Sequence, residues 1–162
     1  MTLSWDLFII AFFVFLTGMG AMLGRGRVLS ILVGSYIGYV VATEVGALAF
    51  ETANRFAHTG NISLLLVKAA LLFGTIVVLN AKTELGGKGG DDSSIVVNVI
   101  YGILTAGFIT TAVLSFLETS EKASLLANSN LLTRIDSMTL FWVVAPVVFL
   151  IFADFLKSKM PG

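Results

Sequence analysis

The chain has 162 residues and a net charge of zero; 57% of it is hydrophobic, 12% is charged, and the mean hydropathy is +0.97. Soluble domains carry roughly 45–50% apolar and about 25% charged residues, so a water-soluble fold of this length could not hide so much apolar surface. Zero net charge excludes the basic field that nucleic-acid binding needs, and the lack of cysteine excludes disulfides, thiolate metal sites and a cysteine nucleophile.

Five continuous apolar runs approach the roughly 20 residues that cross about 30 Å of hydrocarbon. The first covers about residues 7–23 and stops at Arg25-Gly26-Arg27, with Arg25 and Arg27 as membrane-boundary residues. No basic residues precede it and no small-residue cleavage site follows, so it reads as a retained span rather than a secretory signal. The second run covers about 28–50 and the third about 62–79. A polar, glycine-rich loop over 81–94 precedes the fourth, 95–117; a mixed segment, 118–138, leads to the fifth, 140–156.

In lipid only helices and closed barrels satisfy the backbone. Barrel strands would alternate apolar and polar residues, whereas these runs are uninterrupted. The expected fold is all-α, a polytopic transmembrane helix bundle of about five spans (four to five) forming one integral membrane domain. In the mixed segment, Leu125, Leu126, Leu131 and Leu132 share a helical face, which fits either an amphipathic helix in the interface or a packed loop. Asn128-Ser129-Asn130 interrupts any long helix there.

The second run carries Ser30, Gly34, Gly38, Ala42 and Gly46, four residues apart. Helices gain little from apolar contact in lipid, so such a stripe marks where another helix comes close enough for van der Waals packing. That helix belongs either to the same chain or to a protein partner or second copy. Gly20 and Gly24 in the first run, and Gly102, Ala106 and Gly107 in the fourth, offer further small faces.

Charges inside spans are rare and are functional candidates by default. Glu44 and Lys68 lie at matching depths of an antiparallel hairpin of the second and third helices, about 9 Å from its boundary at 1.5 Å per residue, which makes an intramembrane charge pair geometrically possible. The alternatives are a snorkelling lysine and a hydrated helix end. Asp154 reads as interfacial, Pro146 predicts a kink, and Asn98 and Thr105 are ordinary polar members of a packed span.

Enzyme chemistry finds few footholds. His58 is the single histidine and falls in a short loop, too far from Ser35 to form a serine–histidine pair. Gly86-Gly87-Lys88-Gly89-Gly90 lacks the G-x-x-x-x-G-K-[ST] spacing of a phosphate cradle; Asp91, Asp92, Ser93 and Ser94 after it suit a helix cap. No catalytic, cofactor-binding or metal-binding residue is expected, and no cofactor.

Several of these features together resemble the colicin V production protein family of bacterial inner-membrane proteins. The residues that carry the likeness are Trp5-Asp6-Leu7 opening the first helix, Gly24-Arg25-Gly26 closing it, Val28 to Gly34 running into the striped second helix, and Ala42. Gly102 and Gly107 after a polar loop, and Ser129 followed by Leu131, match more loosely. Two departures stand out: Asp91-Asp92 lacks the arginine that usually follows there, and a fifth span exceeds the usual four. The resemblance implies a role in envelope homeostasis or export through partners and supplies no catalytic residues.

Five spans put Arg25, Arg27, Lys82, Lys88, Lys157 and Lys159 on one side and Arg55, Lys122 and Arg134 on the other. The positive-inside rule then expects an outside N-terminus and a cytoplasmic C-terminus in the inner membrane. Two other roles suit the same residues: a structural or assembly subunit of a larger membrane complex, and a small oligomeric pore or transporter.

Overall fold

The computed structural model describes residues 5–56, 62–82 and 95–159, without the side chains of 23–25, 56 and 153–159. Six α-helices account for nearly all of them: α1 (Trp5–Phe56), α2 (Leu64–Lys82), α3 (Ile95–Phe116), α4 (Thr119–Ala127), α5 (Asn130–Ser137) and α6 (Thr139–Lys159). Four stretches are long and apolar enough to cross a membrane: Trp5–Met22, Gly26–Arg55, Leu64–Lys82 and Ile95–Phe116. Asn130–Ser137 and Thr139–Phe152 pass the same test only as a pair, bent by 64° at their junction, so the spans number four, or five if this broken pair counts as one. The chain is an all-α polytopic transmembrane bundle.

The helix α1 spans 52 residues without a break in helical hydrogen bonding, where two separate helices are expected. Its two halves nevertheless run in opposite directions along α3. In the first half, Gly20 meets Asn98, Leu16 and Thr17 meet Gly102, and Ile9 packs in one cluster with Leu114. In the second half, Val28 and Leu32 pack on Tyr101, Tyr36 stacks on Phe108, and Tyr39 stacks on Phe116. A straight helix cannot do both, so the chain reverses between Met22 and Gly26. Glycine weakens a helix by about 1 kcal/mol but keeps its N–H, unlike proline. Gly24-Arg25-Gly26 therefore ends the span without ending the helix.

α3 is the axis of the bundle. Of its span, 72% is buried, against 11% for Trp5–Met22 and 11% for Leu64–Lys82. Both halves of α1 lie along it, and α6 packs antiparallel to it: Trp142 sits on Gly107, and Tyr101 meets Phe149 edge to face. Pro146 is buried within α6, whose helix continues through it. The Tyr36 hydroxyl donates to the carbonyl of Val143, in the turn before the proline.

α2 lies antiparallel to the second half of α1, and the small-residue stripe is the contact face. A Cβ on Gly34 would stand 3.3 Å from Ile76 Cα; one on Gly38, 2.8 Å from the Leu72 carbonyl oxygen; one on Gly46, 2.8 Å from Lys68 Cγ. Ala42 is fully buried in the same cluster as Leu72 and Ile76, and Ser30 is buried as well. The first half of α1 meets α3 just as closely: Cβ atoms on Gly20 and Gly102 would fall 2.7 Å from the Asn98 oxygen and 2.9 Å from the Leu16 oxygen.

Gly18 and Gly74 have nothing within 4 Å of such a Cβ, which gives the bundle internal controls. Gly38→Ala and Gly102→Ala are expected to destabilise by about 1–3 kcal/mol through overpacking. Gly18→Ala and Gly74→Ala are expected to be neutral or to stabilise by up to about 1 kcal/mol. Thermal unfolding in detergent checks this; equal behaviour of all four variants would rule out backbone approach as the source of packing.

Candidate functional site

The end of the bundle where α1 starts and α3 finishes is closed by α4 and α5. Ser129 adopts extended backbone angles and caps α5, its hydroxyl accepting from the Leu132 N–H at 3.1 Å. The same hydroxyl donates to the Asp6 carboxylate, which also accepts from the Leu131 N–H at 3.3 Å. Asp6 is in the first turn of α1, so the positive ends of two helices converge on one carboxylate. An anion there is favoured by both dipoles and by the free N–H groups of the α5 terminus.

This junction fixes the amphipathic segment. Leu132 and Ile135 of α5 are buried against Ile9 and Leu114, with Leu125 and Leu126 of α4 beside them. Thr133 donates to the Leu126 and Ser129 carbonyls, and Lys122 pairs with Asp136 at 2.7 Å to tie α4 to α5. Within residues 118–138 the chain forms a pair of short helices broken at Asn128 and Ser129, with α5 buried against α1 and α3 through Leu132 and Ile135.

Beneath the cap lies a groove of about 300 Å³ between the first half of α1 and α2, with α3 as its floor. Phe8 and Phe12 form one wall, Leu65 and Phe73 the other, and Leu125 and Leu132 reach in from the cap. Thr110 is the sole hydroxyl in its lining, and it donates at 2.8 Å to Ala106 of its own helix. Thr105 and Thr111 turn back in the same way, to Tyr101 at 2.7 Å and Gly107 at 2.9 Å. Much of the polarity inside α3 is therefore spent on its own backbone, and Asn98 is buried beside Gly20.

Glu44 and Lys68 come to matching depth, since Lys68 packs on Gly46, yet they form no ion pair. Glu44 is exposed, while the Lys68 stem lies along Gly46 and its ammonium stands 5.7 Å from the centre of the Phe116 ring. Two turns of geometry explain the miss: the face of α1 that touches α2 carries Gly38, Ala42 and Gly46, and Glu44 lies about 160° around the helix from Ala42's neighbourhood toward the outside at 100° per residue. Phe116 was invisible as a partner, because a cation over a ring has no fixed sequence spacing.

Arg27 is exposed just past the reversal. The side chains of Arg25 and Asp154 and the surroundings of Gly24 lie outside the described residues, as do His58, Gly86 to Gly90 and Asp91 to Ser94. Among the described residues, no three acidic or histidine side chains cluster to hold a metal. Sequence reasoning missed the Asp6 clamp as a physical contact. Its signals were present: an acid in the first turn of an apolar helix, and a serine three residues before Leu132 in capping position.

The fold and its apolar exterior define a polytopic α-helical membrane protein. No protein-family model, curated protein or solved structure matches the chain.

Asp6→Ala and Ser129→Ala should each destabilise by about 1 kcal/mol, the usual worth of a helix cap. The double variant should lose clearly less than the sum, since both changes break one linked set of hydrogen bonds. Unfolding of the four proteins in detergent measures this; strict additivity would separate the two residues energetically.

Proposed function

We propose that the chain is a multi-pass protein of the bacterial inner membrane that acts without catalysis of its own in envelope homeostasis or export, through protein partners, in the manner of the colicin V production family. The observation that carries this reading is the Asp6–Ser129 contact. These residues are 123 positions apart, belong to the two ends of the resemblance, and meet in the fold. The tight turn at Gly24-Arg25-Gly26, leading directly into the striped helix, supports it as well.

Partners are favoured by a second feature. Glu44 projects from the outer face of α1 among exposed Val40, Val45 and Leu48. A carboxylate facing lipid in an apolar helix is costly, and a neighbouring helix with a cation would relieve that cost. The striped face itself is filled by α2 of the same chain, so a partner would dock elsewhere.

The proposed orientation places α4, α5 and the Phe56 end of α1 outside, with the reversal at Met22–Gly26 in the cytoplasm. The chain has no native cysteine, so single cysteines report cleanly. In intact cells, Thr52→Cys and Glu121→Cys should react with an impermeant maleimide, and Arg27→Cys should react after lysis alone. Labelling of Arg27→Cys together with Thr52→Cys in intact cells would invert or break the topology.

Deletion of the gene from its host should raise sensitivity to detergents and to envelope-acting peptides, with complementation by the wild type. Asp6→Ala, if it reaches the membrane at normal levels, should complement by less than half. Unchanged sensitivity and unchanged export on deletion would defeat the proposal.

A further inference from the structure

We infer that the outer face of α1 around Glu44 docks a transmembrane helix of another protein, one that carries a lysine or arginine at Glu44's depth. The docking face rests on the partner-dependent role and gives that partner its chemistry. Ile37, Val40, Glu44 and Leu48 follow one another at three- or four-residue spacing, so they share one helix face, and all four are exposed. The opposite face carries Gly38, Ala42 and Gly46 and is filled by α2. Ile37 also forms one wall of an open trough of about 330 Å³, whose other side includes Ala70, Gly74 and Val78 of α2. A Cβ on Gly74 would meet nothing within 4 Å, so an incoming helix can bring its main chain close there. Glu44 lies seven residues beyond Ile37, about two turns along the same wall.

The occupant's charge follows from the depth of Glu44. Gly46 packs on Lys68, four residues into α2. Glu44, two residues further from the boundary, stands about 9 Å below the start of that helix at 1.5 Å per residue. A lysine can snorkel over such a distance; a glutamate, with half the methylene groups, falls short. Among the described residues nothing pairs with it: the Thr43 hydroxyl turns back to the Val40 carbonyl at 3.1 Å, and the Lys68 ammonium stands over Phe116. A carboxylate flanked by Val40 and Leu48 in hydrocarbon is costly unless a cation meets it. A second copy does not bring that cation to this face. Lys68 lies against Gly46 and Phe116, away from it, and two copies meeting here about a twofold axis would oppose Glu44 to Glu44. The occupant is therefore a helix of a different chain, apolar except for a basic residue about six positions inside its boundary.

Energy transfer from the full-length protein to synthetic helices in phosphatidylcholine vesicles tests this, with the donor dye on Thr52→Cys of the cysteine-free chain. Each helix is a leucine–alanine span of about 20 residues. One has a lysine about six residues from an end, one has it at the centre, and one has norleucine instead. The first should associate with the protein about fivefold more tightly than the other two, the effect of one polar contact between helices in lipid. Glu44→Gln should abolish that preference, and Glu44→Asp should keep part of it. Gly74→Leu, which fills the trough, should weaken association of all three helices. Equal association of the three with the wild type, an unchanged preference in Glu44→Gln, or stronger transfer between two copies of the chain than to the lysine helix would each overturn the inference. Where a variant fails to fold, the wild type's choice between the two lysine positions decides alone. The deletion phenotype is read separately: its absence beside a preferred lysine helix removes the envelope role and leaves the docking face, and a phenotype without that preference does the reverse.

Discussion

Backbone proximity to α3 is the constraint on which the rest of this bundle depends. In lipid the outside of a helix pair is as apolar as the contact between them, so helices hold together by how closely they approach. The first half of α1 and α6 each reach α3 at a glycine, while the second half of α1 reaches it through Val28, Leu32, Tyr36 and Tyr39. The first half of α1 crosses at Gly20 and Gly102, each lying where the other helix's main chain would touch a Cβ. Trp142 of α6 rests where Gly107 has no side chain, and α2 reaches the core by lying in the furrow of Gly34, Gly38 and Gly46 on α1. Larger side chains at these places would separate the axes and remove the dispersion contacts that replace a hydrophobic drive.

Such packing decides where polar groups can go. Where main chains nearly touch, side-chain hydroxyls turn inward, and Thr105, Thr110 and Thr111 of α3 donate to their own helix. Two long-range polar contacts among the described residues fall where geometry opens. One is Tyr36 on the Val143 carbonyl, in the turn of α6 that precedes Pro146. The other is Asp6 at the mouth of α5, beyond the tight crossings and near the polar boundary. This second contact holds the cap in place, and the cap in turn gives the groove its closed end.

Span number and the identity of the packing face were legible because each rests on a short-range rule. Apolar length fixes a crossing, and a small residue every fourth position fixes a face. The reversal near Gly24 was legible as a boundary but not as a continuous helix, because arginine and glycine mark the membrane edge without removing backbone donors. The Glu44–Lys68 pair was out of reach for a different reason. Depth can be counted along a helix, but the direction a side chain takes depends on which face the neighbour occupies. Here the neighbour occupies the glycine face, and Lys68 finds Phe116 from a third helix. The groove was equally hidden: its walls come from α1, α2 and α3 and its roof from α4 and α5, and no local pattern records that two walls fail to close.

That failure to close has a physical origin in the glycines themselves. α2 is drawn onto the second half of α1 by the furrow, and the first half of α1 is drawn onto α3 by Gly20 and Gly102. Nothing comparable draws α2 toward the first half of α1, where Phe8, Phe12, Leu65 and Phe73 present bulky side chains to the gap. Close approach on two sides of α3 thus leaves separation on a third. In water such a gap would collapse or fill with a rearranged core. In a bilayer it persists at little cost because lipid chains are already at hand, which makes an open apolar slot a stable feature of this fold.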